Sequence, residues 1–340
     1  RVGDPSLDAQ AMSREIALQS LTTPALQQHT QLGPEDVARA FLEGRNEHTR
    51  KAYDRDLRDF AEFLGVGSPR MAIAALICAG KGQAHAMALS FRAHLLARGL
   101  APTTIGRRLA ALRSAIKLAG QIGQVDWELS ISSPSGEAYR DTSGPGEAGW
   151  RSVRDAAKAD AGDGSPTKVR DLAIVRLLHD QALRREEVCR LDLADVDLDD
   201  RDVPSHVWIL GKKRSQKERL SLAAPTSAAL AAWIAERGPH PGPLFVRLDP
   251  GASAERTQRI TGRSIHRLVV QLGERAGLRK QLRPHGLRHQ AITEALDRTG
   301  GDVRKVQRFS RHKDLRTLTI YDDRRRDGAG EVSRLIADDE

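Results

Sequence analysis

"RPHGLRHQ", residues 283–290, sets two histidines and two arginines within eight positions, just ahead of the apolar run "AITEAL". A surface helix can carry cations for solubility alone. The alternative is that these side chains converge on something negative, and the charge around them bears on the choice. The 340-residue chain has 54 Lys and Arg against 45 Asp and Glu, a net charge of +9. Residues 279–326 alone hold 14 basic and 6 acidic side chains, so nearly all of the excess lies in the segment that opens with the quoted stretch. An excess concentrated in this way favours contact with a polyanion, although total charge governs association and not fold.

A chain of 340 residues is long for a single core and reads as two domains. Its 39% of hydrophobic residues is enough to pack them. The two cysteines, Cys78 and Cys189, are far apart, so neither a disulfide framework nor a cysteine-based zinc site is indicated. A reducing, cytoplasmic setting is expected. No run of about 18 apolar residues is present for a membrane span, and the N-terminus lacks the basic-then-apolar order of a signal peptide.

Outward from the quoted stretch, periodicity divides the chain. Residues 1–33 have weak periodicity and read as a tail. Residues 47–66, "EHTRKAYDRDLRDFAEFLGV", place Tyr53, Leu57, Phe60, Phe63 and Leu64 at spacings of three and four, the stripe of an amphipathic helix. "MALSFRAHLLARGL" is a second helix ended by Gly99, and Thr103 or Thr104 is placed to cap the next. That third helix, "TIGRRLAALRSAIKLAG", aligns Ile105, Leu109, Leu112 and Ile116 on one face. Arg107, Arg108, Arg113 and Lys117 lie on its other faces with no acid between them, as suits a phosphate backbone. This helical bundle is expected over 34–122. Ser-, Pro- and Gly-rich sequence marks a linker over 123–147, and a second, mostly helical domain follows over 148–340. Within it "KVRDLAIVRLLHDQAL" reads as a buried helix. "HVWILGKKRSQKERLSL" reads as strand, turn and strand, with Lys212, Lys213, Arg214 and Lys217 at the tip.

Attack on a phosphodiester requires fixed cations around the non-bridging oxygens, a nucleophile in line and an acid beside the leaving oxygen. Arginine suits the clamp because its planar fork donates two hydrogen bonds and stays charged. Lysine and histidine suit proton transfer because their pKa values can be tuned. The C-terminal half supplies these types in order: Arg184 in "QALRREEVCRL", the hairpin lysine, His285 and Arg288 in "RPHGLRH", then His312 nine residues before Tyr321 in "FSRHKDLRTLTIY". His285 and His289 at i, i+4 also mimic a zinc pair, but the helix lacks the glutamate of HExxH and no third ligand is evident. Alone, Arg184 reads as a salt-bridge partner of Glu187, Lys212 as a turn lysine and Tyr321 as a surface residue.

Taken together, these residues resemble the tyrosine site-specific recombinase, or phage-integrase, family, whose pattern is Arg, Lys, His-x-x-Arg, His (or Trp), Tyr. The resemblance extends to "HTRKAYDRDLRDFAEFL" and "LAPTTIGRRLAALRSAIKLA", which are similar to that family's core-binding bundle, leaving only tail and linker outside it. It implies a mainly α fold with a small antiparallel β-sheet. A SAM-like core-binding bundle and a catalytic domain would form a clamp around double-stranded DNA. Arg184 and Arg288 would be the clamp arginines, Tyr321 the nucleophile, His312 a phosphate contact and His285 the acid or base acting on the tyrosine proton. The lysine is Lys212 or, as second choice, Lys213, because "GKKRSQKER" is two residues longer than the family's usual "GKGxKER". His285 and Arg288 are expected to point inward to the phosphate, with Arg283 and His289 flanking it or facing solvent. Ala182 stands where the family has the glycine of "GLR", a mild change. Arg311 replaces the glycine of "LGH", which is expected to alter the turn before His312 while keeping the imidazole.

The implied reaction is cutting and rejoining of DNA through a 3′-phosphotyrosine, with no metal, ATP or other cofactor. Dimers on each recognition site would pair into a synaptic tetramer. A short C-terminal helix in 328–340, with Val332, Leu335 and Ile336 on one side, would dock on a neighbouring protomer. The short N-terminal tail favours a Xer-like, transposon-borne or compact integrative-element recombinase, with accessory proteins left open. The alternative is a catalytically silent DNA-binding protein of the same fold.

Overall fold

The computed structural model describes residues 33–44, 47–134, 144–211, 215–248, 257–312, 314–315, 318, 333 and 336–337. The chain divides into two compact units, Arg1–Arg140 and Asp141–Glu340.

In the first unit the described elements are five helices: α1 (Pro34–Glu43), α2 (Glu47–Leu64), α3 (Pro69–Cys78), α4 (Gly80–Ala97) and α5 (Pro102–Gln121). Their apolar stripes meet in one core. Leu57 and Phe60 of α2 are fully buried, with Tyr53, Phe63 and Leu64 packed at its margin. All four expected residues of α5, Ile105, Leu109, Leu112 and Ile116, are buried. Phe60 meets Phe91 of α4 edge to face at 4.9 Å between centroids, the geometry that ring quadrupoles favour. The expected threonine cap of α5 is not used. Pro102 opens the helix behind Ala101, its ring presetting φ and its missing N–H leaving no donor to satisfy there. Residues 125–131, expected as linker, belong to this core: Leu129 and Ile131 are buried and Trp127 packs against them.

The second unit is mostly helical with a three-stranded antiparallel sheet. Helices α6 (Gly146–Gly162), α7 (Pro166–Asp180) and α8 (Arg185–Arg190) lead into β1 (Val196–Leu198), β2 (Pro204–Leu210) and β3 (Lys217–Ser221). Helices α9 (Ala224–Arg237), α10 (Gly262–Arg275), α11 (Pro284–Arg298) and α12 (Val303–Ser310) complete it. The predicted hairpin is β2 paired with β3, with Trp208 opposite Arg219 and Leu210 opposite Lys217. Lys217, expected at the tip, opens β3 and pairs with Asp195. The three-residue β1 has no legible alternation and forms by pairing with β2.

Helix α7 runs through the centre, with residues 173–179 all buried. Around it lie Val207 and Ile209 of the sheet, Trp233, Phe245 and Leu287. Trp233 donates its indole N–H to the Leu244 carbonyl at 2.8 Å, so its burial leaves no polar atom unsatisfied. His179 stacks on Trp150 at 3.7 Å between centroids and its Nδ1 meets Asp180 at 2.9 Å. A smaller cluster of Ala182, Ala291, Ile292, Leu296, Val306 and Leu318 joins α11 to α12. No single helix among the described residues is long and apolar enough to cross a membrane.

Candidate active site

Four of the six candidate catalytic residues lie in the described part of the second unit. They come from the α7–α8 corner, the first turns of α11 and the end of α12. Lys212, Lys213 and Tyr321 lie outside the described residues, as does the C-terminal docking segment apart from Ser333, Ile336 and Ala337.

Arg184 is the N-cap of α8. Its backbone N–H donates to Glu187 Oε2 and its Nη1 to Glu187 Oε1, both at 2.8 Å, so one carboxylate fixes both the cap and the guanidinium. The Arg184 side chain keeps 31% of its surface open to solvent, while that of Glu187 keeps 4%. Burial works against the Glu187 charge, but Arg311 and the hydrogen bonds from Arg184 outweigh it and hold its pKa below the ordinary value. The carboxylate is therefore ionised at neutral pH.

Arg288 sits one turn into α11, which Pro284 starts at its first position. It is 1% exposed and points inward as expected, and two of the groups it meets there are backbone carbonyls. Nη1 donates to the carbonyl of Ala182 and Nη2 to that of Ser310. The guanidinium thus ties the α7–α8 corner to the end of α12. His285, one turn earlier on α11, is exposed as a residue. Its imidazole is nevertheless desolvated by neighbouring atoms and lies in the fields of Arg288 and Arg184, which together lower its pKa.

His312 follows α12 and is half-buried. Its Nδ1 lies 2.8 Å from Ser310 Oγ and its carbonyl accepts from Gln307 Nε2 at 3.1 Å. Burial, then the positive charges of Arg288, Arg184, His285 and Arg311, push its pKa down to about 4. Direct bonds link three of these groups: Arg288 reaches the Ser310 carbonyl while His312 meets the Ser310 hydroxyl, and Arg288 shares the Ala182 carbonyl with Arg311. Cations gathered beside imidazoles of lowered pKa mark this group as a candidate site.

The sequence reading missed Arg311 as a member of this group. It closes α12 in the left-handed conformation, φ 57°, which explains why its position tolerates a glycine. Its side chain, 2% exposed, pairs with Glu187 Oε2 at 3.1 Å. The departure from "LGH" was visible in the sequence, but its partner, 124 residues away, was not. Ala182 is likewise left-handed, φ 44°, at the other expected glycine. His289 is buried, so of its two expected placements, flanking the site or facing solvent, the second is excluded. Arg283 is exposed and, among the described residues, bonds to Gln281 at 3.3 Å.

In the first unit the expected phosphate contacts divide. Arg107 pairs with Asp56 at 2.6 Å and Arg108 with Asp59 at 2.5 Å, while Arg113 donates to the Ile131 carbonyl at 2.6 Å. The acids missing from α5 are supplied by α2. Burial raises the Asp56 pKa even though Arg107 and Arg108 oppose it. Lys117 is exposed.

Among the described residues no group of three or more His, Cys, Asp or Glu side chains could hold a metal ion. Sequence comparison aligns residues 152–327 with the model of the phage integrase family. A tyrosine recombinase of Synechocystis sp. is 39% identical over 298 residues, covering 86% of this chain and 92% of the relative. Tyrosine recombinase XerC of Mycobacterium leprae is 30% identical over 82% of this chain and 89% of its own. Among solved structures, the XerH site-specific recombinase bound to palindromic difH substrate in a post-cleavage complex matches with a TM-score of 0.64. That match is at 17% identity and covers 84% of this chain and 79% of XerH. At that identity it is the fold that is shared.

Proposed function

Since the chain belongs to the phage integrase family of tyrosine recombinases, we propose that it is a site-specific DNA recombinase that cuts and rejoins duplex DNA through a covalent bond to Tyr321. The observation that supports this reading is the bonding around Arg288, whose guanidinium reaches the Ala182 carbonyl, two residues before Arg184, and the Ser310 carbonyl, while His312 Nδ1 meets Ser310 Oγ. Burial and nearby cations lower the pKa of both His285 and His312.

The chemistry follows from those states. A neutral His285 can accept the phenolic proton as the Tyr321 oxygen attacks a backbone phosphorus. The P–O bond to the 5′ oxygen breaks and Lys212, or Lys213, protonates that oxygen, leaving a 3′-phosphotyrosine and a 5′-hydroxyl. Attack by the 5′-hydroxyl of a partner strand reverses the step, and because the bond energy is kept in the covalent link no ATP is consumed. Arg184 presents a half-exposed, pre-oriented fork to a phosphate oxygen. Arg288 would exchange a backbone carbonyl for phosphate, or act by holding the corner beside Arg184. An entering phosphate compensates the cations around His312 and raises its pKa, increasing the share of imidazolium able to donate a charged hydrogen bond to the developing charge. Pairing of sites requires a dimer on each site and a tetramer in synapsis, working where the DNA is.

The test uses nicked duplexes built on inverted repeats found by sequencing the DNA that flanks the gene. A covalent protein–DNA adduct should form in the presence of chelator and vanish in Tyr321→Phe, which should still bind. Binding without any adduct would instead assign a catalytically silent DNA-binding role, and metal-dependent cleavage would remove the recombinase reading altogether.

A further inference from the structure

We propose that Arg311 is a positioning residue of this site, its buried guanidinium joining the corner that leads into Arg184 to the turn that presents His312. The inference rests on the recombinase reading and adds to it a side chain that need touch neither DNA nor the reacting atoms.

The geometry is a shared carboxylate. Glu187 gives one oxygen to Arg184 Nη1, at 2.8 Å, and the other to Arg311 Nη2, at 3.1 Å. Arg311 also donates from Nη1 to the Gln181 carbonyl and from Nη2 to the Ala182 carbonyl, each at 3.2 Å. Those two residues immediately precede Leu183 and Arg184, so the tether reaches the Arg184 corner through its backbone and through its carboxylate. At its other end, Nη1 donates to Phe309 at 3.1 Å, in the last turn of α12. A glycine at φ 57° would make the same turn without strain and without a tether. A long side chain in that conformation persists where its surroundings hold it, and here they do.

The same placement gives Arg311 an electrostatic effect. Among the described residues, the charged and titratable groups that bear on His312 include Arg288 and His285 from α11, Arg184 from the α8 cap and Arg311 from its own turn. With Arg311 removed, one of the cations that disfavour a protonated His312 is gone. The link to Glu187 also loses its second arm, so Arg184 is held from one side only.

Three full-length proteins test this: wild type, Arg311→Gly and Arg311→Lys. The readouts are the adduct-forming rate at saturating nicked DNA, the dissociation constant for that DNA, and the NMR titration of His312 in free protein. Arg311→Gly should fold, bind DNA within about threefold of wild type, and form adduct at least tenfold more slowly, with His312 titrating at higher pH. Arg311→Lys, which keeps the charge but not the fork, should restore the His312 titration more fully than the rate. A wild-type rate and an unshifted His312 in Arg311→Gly would overturn the proposal. So would loss of folding in both variants, which would make the residue a stability device alone. If wild type itself forms no adduct, the recombinase reading fails, and the His312 titration still decides whether Arg311 acts on the site.

Discussion

Arg311 Nη2 donates to the carbonyl of Ala182 across 3.2 Å, and both residues have left-handed backbones, φ 57° and φ 44°. Two strained corners far apart in sequence are thus bonded to each other. Their strain is tolerated because each is held by the other's neighbourhood.

Ala182 is fully buried, so Ala182→Gly loses a packed methyl and gains unfolded-chain entropy but relieves the left-handed strain. The two losses are each about 1 kcal/mol and the relief of strain about 1–2 kcal/mol, so they largely offset and stability should change by no more than about 1 kcal/mol. Ala182→Val adds β-branching in the same conformation and overfills the cluster of Ala291, Ile292 and Val306, and should cost about 3 kcal/mol or more. Urea unfolding of the two variants measures the contrast; equal effects would contradict it.

Glu187→Ala leaves the Arg311 guanidinium buried without its carboxylate. Removing one partner of a buried pair costs about 3–5 kcal/mol. Glu187→Gln keeps hydrogen-bonding atoms in place and should cost less. The ordering in urea midpoint should be wild type, then Gln, then Ala.

Acidification should destabilise the second unit. The His312 pKa lies at about 4 in the folded protein against an ordinary 6.5. Above pH 6.5 both folded and unfolded chains hold the ring neutral; between 6.5 and 4 only the unfolded chain takes the proton, so stability falls as pH falls. His285, also lowered, acts in the same direction. Because the rings are partly solvated, the slope should be a fraction of about 1.4 kcal/mol per pH unit per histidine. Glu187 adds its own loss mainly below its ordinary 4.5, and Asp171, raised by burial, acts in the opposite direction, so midpoints at pH 7.5, 6 and 5 are compared between wild type and a histidine variant to separate the histidine contribution. A His312→Asn variant should flatten the dependence.

In the first unit, structural and DNA-facing cations should separate experimentally. The Arg108 side chain is 11% exposed and bound to Asp59 and Asp56, so Arg108→Ala should cost about 3 kcal/mol of stability. Lys117 is exposed, and Lys117→Ala should leave stability unchanged while lowering the slope of log affinity against log salt by about 0.9, as one lost phosphate contact does. A salt slope that falls with Arg108 and not with Lys117 would reverse the assignment.

The amphipathic stripes of α2 and α5, the buried run of α7 and the β2–β3 hairpin were legible because helix and strand periodicities are local properties of the chain. The order of Arg184, His285, Arg288, His312 and Tyr321 was legible as a resemblance to the family's pattern, because residue types and their spacing are properties of the primary structure. The three-residue β1 was not, since it exists only as a partner of β2. What those side chains bind was decided by packing. Arg288 meets a carbonyl 106 residues away, Arg311 a carboxylate 124 residues away, and Arg107 an acid 51 residues away on another helix. A one-dimensional pattern shows which charges exist and how they are spaced within a turn. Only the folded chain brings distant segments within 3 Å, and with them the low dielectric and the partners that determine which cation is bound within the protein and which remains open to an anion.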